Sequence, residues 1–163
     1  MDRRVFFQQM LASGLIAASL TQSMGADSPH PAGAISSKVK WQTSLKAAQK
    51  LALQQNKPIL IVFGASWCPP CRKLENETLC DRRTVAMIER EFIPVHLDYE
   101  KEPKIVKILE VERLPCLVIL TPEADLLHKS VGFAEAKEFQ SKLTAALEKR
   151  AEVQQVQATA PVR

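Results

Sequence analysis

At 163 residues the chain can bury the core of one domain but not of several. Its 22 basic and 18 acidic side chains leave a formal charge of +4 and are well mixed after the N-terminus, while aromatic residues make up only 6%. That balance argues against nucleic acid as a partner, because such a surface needs a concentrated basic face and rings for stacking.

Met1 to about Ala26 reads as a secretory signal peptide. Arg3-Arg4 make a positive start, Leu11 to Leu20 a short and mostly apolar core, and Ser23-Met24-Gly25-Ala26 offer small residues for cleavage. The run is too short for a confident membrane span, with an uncleaved N-terminal anchor as the alternative. Arg3-Arg4-Val5-Phe6-Phe7 also resembles the twin-arginine export motif, from which Asp2 and Gln8 depart at the edges. No cysteine follows the run where a lipoprotein would need one. A soluble mature form in the periplasm or another extracytoplasmic compartment is therefore expected, where structural disulfides are tolerated.

Residues 27–40 carry Pro29, Pro31 and Gly33 among small residues and read as a flexible N-terminal segment. Thr43 or Ser44 can cap a helix with the apolar stripe Leu45, Ala48, Leu51 and Ala52, which ends before Asn56-Lys57-Pro58. Trp41 is expected to pack at the mouth of that helix. Pro58 to Phe63 is nearly all apolar, as a central parallel strand covered on both faces should be. Gly64 to Trp67 then forms the loop at its carboxyl end, where open α/β folds place their sites. The next helix carries Cys71, Leu74 and Thr78 on related faces and breaks near Cys80-Asp81, and Asp81 caps a second helix with Val85, Met87 and Ile88 inward.

Phe92 to Asp98 is a strand, with Pro94 at its start or at an irregular edge. Pro103 opens a helix supported by Ile105, Val106, Ile108 and Leu109. Pro115 to Leu120 is a strand, Thr121 to Asp125 a turn, and Leu126 to Val131 the return of an antiparallel hairpin. A last helix, Ala134 to Arg150, buries Phe139, Leu143 and Leu147 at helical spacing. Residues 151–163 show no sustained apolar period and are expected to form a flexible tail, so the folded domain spans residues 41–150.

Cys68-Pro69-Pro70-Cys71 falls where the apolar strand gives way to a helix. Cysteines two residues apart straddle one helical turn, so their sulfurs can form a disulfide or bind a metal. The strand before them and the helix after them favour redox chemistry. A purely structural disulfide is the bland alternative. A tetrahedral zinc site would need further ligands, and no second CxxC is present, so no metal is expected. Cys68 at the helix start is the expected nucleophile, its thiolate stabilised by backbone N–H groups and the helix dipole. Cys71, one turn deeper, is the expected resolving thiol. Pro69 and Pro70 stiffen the turn and remove two donors from it, and a glycine at Pro69 would restore one.

The stretch from Ile59 to Leu74 resembles the active site of the thioredoxin-like superfamily, with Trp67 before the first cysteine and Pro70 before the second. Lys57-Pro58, the strand Phe92 to Asp98, Leu114-Pro115 and Val131-Gly132-Phe133 are similar to that family's later landmarks in the same order, over roughly residues 41–150. The run after the CxxC looks most like exported, periplasmic thiol:disulfide interchange domains. The resemblance implies an α/β thioredoxin-like fold, a central mixed sheet flanked by helices. It also implies that Trp67 covers the redox pair, that the Leu114–Pro115 bond is cis and lies beside that pair, and that the Leu114 backbone is free to pair with substrate.

One departure matters. Many thioredoxins hold a buried aspartate at the position matching Val62, where it assists proton transfer at the resolving cysteine, and valine cannot do that. Water, Glu75 or Lys57 remains to carry the proton. Cys80 and Cys116 are accessory thiols with three readings: Cys116 as a free buried cysteine, a Cys80–Cys116 disulfide, or participation in redox exchange or soft-metal capture. His96 and His128 show no ligand-like spacing to the CxxC.

The expected activity is an exported thiol:disulfide oxidoreductase that reduces or isomerises protein disulfides. It would need no cofactor beyond the redox-active Cys68–Cys71 disulfide. The resemblance implies exported protein substrates and a membrane electron donor, with the chain acting as a monomer. Two alternatives stand beside it: a thiol reductase of cytochrome c maturation, and a non-catalytic Cu(I)-binding module using Cys68, Cys71 and Cys116.

Overall fold

The computed structural model describes residues 39–159, so the expected signal peptide and most of the segment 27–40 lie outside the described residues. Helix α1 (Leu45–Gln55) precedes strand β1 (Ile59–Gly64), and α2 (Pro69–Lys73) runs into a π-helical turn (Leu74–Thr78). Then come α3 (Arg82–Glu91), β2 (Ile93–Asp98), α4 (Pro103–Ile108), the hairpin β3 (Cys116–Leu120) and β4 (Leu126–Val131), and α5 (Ala136–Thr159). The four strands form one mixed sheet in the order β2-β1-β3-β4, with β1 parallel to β2 and the other neighbours antiparallel. This is an α/β thioredoxin-like fold.

Alternation along β1 divides the core. Leu60 and Val62 face α3 and α5, where they meet Leu74, Ile88, Phe139 and Leu143. Ile59, Ile61 and Phe63 face the other side and meet Ala48, Ala52, Val95 and Val118. Both faces of β1 are covered, so all six of its residues are buried and the strand reads as an unbroken apolar run.

Pro94 is tolerated because β2 is an edge strand. The Ile93 N–H points inward to Pro58, while Pro94 and His96 direct their backbone outward: Gln42 N–H donates to Pro94 O at 2.9 Å, and His96 N–H donates to Gln42 O at 3.0 Å. The N–H that proline lacks would have faced away from the sheet.

Asp81 caps α3 and does more than a cap requires. One carboxylate oxygen accepts from the Arg83 and Thr84 N–H groups, the Thr84 hydroxyl and Gln140 Nε2 of α5. The Thr84 N–H is the main cause of an Asp81 pKa below its ordinary 3.8, with the Thr84 hydroxyl and the Arg83 N–H adding to it and burial opposing it. A lowered carboxylate pKa contributes stability that is complete above the unfolded value and is lost as pH falls through the folded one. Asp81→Ala should cost about 1 kcal/mol at neutral pH, and urea melts should show the gap from wild type closing below about pH 4.

The structure corrects the sequence reading at both ends of the domain. Val39, expected in the flexible segment 27–40, is 6% exposed and belongs to the core. Residues 151–159, expected in the tail, continue α5. Arg150 is not a helix end: its Nη2 donates to the carbonyl and side-chain oxygens of Asn56, the left-handed cap of α1. The residues beyond it include Ala, Glu and Gln, with no glycine or proline before Pro161, so no helix breaker intervenes. An apolar stripe is needed for docking and not for continuation.

Candidate active site

The site is built where β1 ends. Cys68 N–H donates to Ala65 O, closing a turn that delivers Cys68 as the N-cap of α2. Pro69 and Pro70 occupy the first helical positions, where an N–H has no intrahelical acceptor in any case. Cys68 and Cys71 are joined by a disulfide of 2.07 Å, with Cα atoms 5.3 Å apart. The Cys71 N–H points at Cys68 Sγ from 3.3 Å, so a thiolate on Cys68 would inherit that donor together with the positive end of the helix.

Cys68 and Cys71 are both almost fully enclosed, at 3% and 2% exposure, and differ in that only Cys68 lines a surface depression. Cys68 lines an open depression of ≈ 400 Å³ with Trp67, Pro69, Pro70, Tyr99, Glu112, Arg113 and Leu114. Cys71 is not among the residues that line it. Trp67 is 58% exposed and forms one wall, without sealing the pair. The Leu114–Pro115 bond is cis. Trp67, Cys68, Pro69, Pro70 and Leu114 thus converge on one depression. Tyr99, Glu112 and Arg113 join them from the loops beside α4, and no spacing in the sequence marks them.

The missing donor belongs to Pro70 and not to Pro69. An N-cap side chain accepts from the second or third helical N–H. Cys71 supplies the third, Pro70 stands at the second, and Pro69 is at the first. A restored donor to a thiolate is worth about 1.5 kcal/mol, roughly tenfold in thiolate fraction. The lower nucleophilicity of a more acidic thiol takes back about threefold. Pro70→Ala should therefore speed alkylation of reduced Cys68 at neutral pH about threefold, with Pro69→Ala near wild type. Equal rates in all three proteins would show that the second helical position does not face the sulfur.

Behind the disulfide, Val62 is 1% exposed and buried in the core. Lys57 precedes β1 at its far end, seven residues or about 20 Å from Gly64, and is not placed to serve Cys71. Glu75 is near: it lies on the π-helical turn four residues after Cys71, and its Oε1 is 3.3 Å from His96 Nε2. His96 is remote from the CxxC along the chain and has no ligand-like spacing to it. Its signal was its place on the β2 face shared with Val62, opposite which it sits in register. His128 is elsewhere, on β4 opposite Ile119.

Cys80 and Cys116 are both free, so the disulfide between them is not formed. The Cys80 thiol is exposed and donates to the Asn76 carbonyl. Cys116 is fully buried on β3, and that burial pushes its thiol pKa up, partly opposed by the Lys129 charge. Among the described residues no group of three or more His, Cys, Asp and Glu side chains stands ready to hold a metal ion.

Comparison with known proteins agrees with this geometry. The thioredoxin-like family profile matches residues 40–122. The thioredoxin-related protein DsbJ of Chlamydia pneumoniae is 23% identical over 110 residues, covering 60% of this chain and 32% of DsbJ, so the match spans about a third of that protein. A thioredoxin H-type of Brassica campestris is 33% identical over 110 residues, covering 63% of this chain and 76% of the plant protein. Among solved structures, a DsbH oxidoreductase superposes with a TM-score of 0.62 at 19% identity, covering 82% of this chain and 95% of its own. A thioredoxin from Thermus thermophilus gives 0.60 at 20%, covering 65% and 85%. At these identities the structural likenesses speak to the fold.

Proposed function

The chain belongs to the thioredoxin-like family, and from that membership we propose an exported thiol:disulfide oxidoreductase that reduces or isomerises the disulfides of other exported proteins. The observation that carries the reading is the Cys68–Cys71 disulfide at a helix N-terminus, with only Cys68 opening on the surface depression.

In the reduced protein the Cys68 thiolate attacks one sulfur of a substrate disulfide. The substrate S–S bond breaks, one substrate sulfur leaves as a thiolate, and the other is held to Cys68 as a mixed disulfide. Cys71 then attacks Cys68 Sγ, forming the intramolecular disulfide and releasing the second substrate thiol. Two electrons pass to the substrate, and an external donor must return them, for which a membrane electron donor is the partner proposed. Trp67, Pro69, Pro70 and Leu114 shape the approach. Leu114 offers its backbone to an extended chain, which favours main-chain contacts that do not depend on substrate sequence, while the Pro115 carbonyl is held by the Gly132 N–H at 2.8 Å.

Export rests on the pattern of residues 1–26. No helix among the described residues is long and apolar enough to cross a membrane. Mass spectrometry of the protein from its native envelope should find a new N-terminus between about Ser23 and Ser28, and Arg3→Lys with Arg4→Lys should block export if the twin-arginine route carries it.

The activity is tested by equilibrating the protein with glutathione buffers, trapping thiols for mass analysis, and following insulin reduction with an external reductant. A reversible Cys68–Cys71 couple with turnover is expected. Retention of Cu(I) against a chelator without turnover would instead identify a copper-binding module.

A further inference from the structure

We propose that a second depression, beside α4, is a substrate subsite that admits an apolar side chain together with a lysine or arginine close to the substrate cysteine. The inference rests on the oxidoreductase reading and names which protein disulfides the site prefers.

The subsite is continuous with the place where Cys68 opens. Its volume is ≈ 490 Å³, and Tyr99 and Glu112 line it as they line the depression that holds Cys68 and Leu114. An extended chain advances about 3.3 Å per residue, so a segment whose cysteine meets Cys68 sets a side chain about two to four residues away over the second depression. Tyr99 and Val106, both half-buried, and the buried Val111 supply an apolar lining there. An apolar side chain of the substrate can take that lining out of water.

Charge fixes the rest of the occupant. Glu100, Glu110 and Glu112 stand exposed at this depression, against the single positive charge of Lys107. The chain as a whole carries +4, so the acidic rim runs against its overall balance. A basic residue next to the apolar one meets the rim favourably, and an acidic one is repelled. Around Cys68 itself Glu112 is offset by Arg113, so the bias belongs to the second depression.

Both walls are held in place without a guest. Tyr99 N–H donates to Gly64 O at 2.9 Å, and Asp98 Oδ1 accepts from Glu100 N–H at 2.9 Å and from Lys101 N–H at 3.3 Å. On the other wall α4 closes with two bonds, Glu110 N–H to Lys107 O at 3.2 Å and Val111 N–H to Val106 O at 2.9 Å. Lys129 Nζ donates to the Glu110 carbonyl at 2.7 Å. Glu110 has φ 51°, a left-handed conformation that suits glycine better than any residue with a side chain. The turn calls for glycine, so a carboxylate at this point of the rim is not a requirement of the fold.

The test measures preference. Reduced protein is mixed with short peptides whose one cysteine is joined by a disulfide to thionitrobenzoate. Each turnover leaves the peptide as a thiol, thionitrobenzoate as a coloured thiolate, and Cys68 and Cys71 as the disulfide, so absorbance gives the second-order rate. One peptide carries leucine and lysine about two to four residues from its cysteine, a second leucine and glutamate, a third serine and lysine. Exposed charge pairs are individually weak, and three carboxylates against one ammonium should favour the lysine peptide over the glutamate peptide about tenfold at low salt. At 1 M salt the Debye length falls to about 3 Å, and the ratio should shrink to about twofold. Serine in place of leucine should slow the reaction about fivefold.

E100Q/E110Q should bring the lysine-to-glutamate ratio within about twofold. E110G, which relieves the left-handed turn, should lower the ratio about threefold while resisting urea at least as well as wild type. A purely structural role for Glu110 would not give that combination, and E110G carries the test if the double variant does not fold. No advantage of lysine over glutamate, none of leucine over serine, or a charge preference that the variants keep would each overturn the subsite. The oxidoreductase reading stands in those cases as long as hydroxyethyl disulfide, which has neither side chain nor charge, is reduced. If wild-type protein reduces neither the peptides nor hydroxyethyl disulfide, both fall.

Discussion

Replacing Cys71 with serine should convert the protein into a trap. Cys68 opens on the surface depression and retains the positive end of α2, so it still attacks a substrate disulfide, but nothing resolves the adduct. Non-reducing gels and mass analysis should show covalent complexes through Cys68, with multiple turnover down on the order of 10³-fold or more. Cys68→Ser should lose turnover to the same extent and trap almost nothing, because Cys71 does not line the depression that Cys68 opens on. Removing both should cost no more than removing either, since the two thiols act as a unit. Adducts carried by Cys71 in the Cys68→Ser protein would reverse the assignment.

A large loss of stability should follow from Phe139→Ala. Phe139 is 1% exposed and joins α5 to the face of the sheet where Leu60, Val62 and Ile88 meet. Truncating such a ring costs about 3–5 kcal/mol, transfer and cavity together, against a total of about 5–15 for a domain of this kind. Leu147 lies eight residues further along the same stripe but is only partly buried, so Leu147→Ala should cost about half as much or less. Urea titrations of both variants check the ratio. Equal losses would mean that the distal part of α5 is held as tightly as the proximal part.

The elements around the disulfide were legible because they follow from local chemistry. The run Ile59 to Phe63 has no polar residue, is short, rich in β-branched side chains and bounded by Pro58 and Gly64, which favours a buried strand. Pro103 starts a helix where the missing N–H is harmless, and Asp81 has a run of helix formers behind it. Cys68 and Cys71 declared themselves by spacing. What could not be read was anything that depends on two segments meeting. His96 looks like a stray polar residue on a strand until the β1–β2 register sets it opposite Val62 and beside Gly64. Tyr99, Glu112 and Arg113 join the depression only because α4 folds its flanking loops back to the helix start. The π-turn has no sequence signature of its own. The sequence alone points to Pro69 as readily as to Pro70 for the missing donor, because the N-cap position that decides which N–H faces the sulfur is visible only in the structure.

If the substrates are other protein chains, as proposed above, Pro94 has a further consequence. Such substrates carry extended segments with unpaired backbone, ready to add to any open sheet edge. On the β2 side the Pro94 position has no N–H to offer, while the Pro94 carbonyl and the His96 N–H are already occupied by Gln42. An extended chain therefore finds no continuous ladder there. The hairpin side differs, because β4 is a terminal strand with Lys129 near its middle, and charge is its main defence. Loss of that charge, by Lys129→Val, would leave a strand prone to capture by the extended segments of such substrates. The hazard would appear as aggregation during turnover even where the isolated protein remains monomeric.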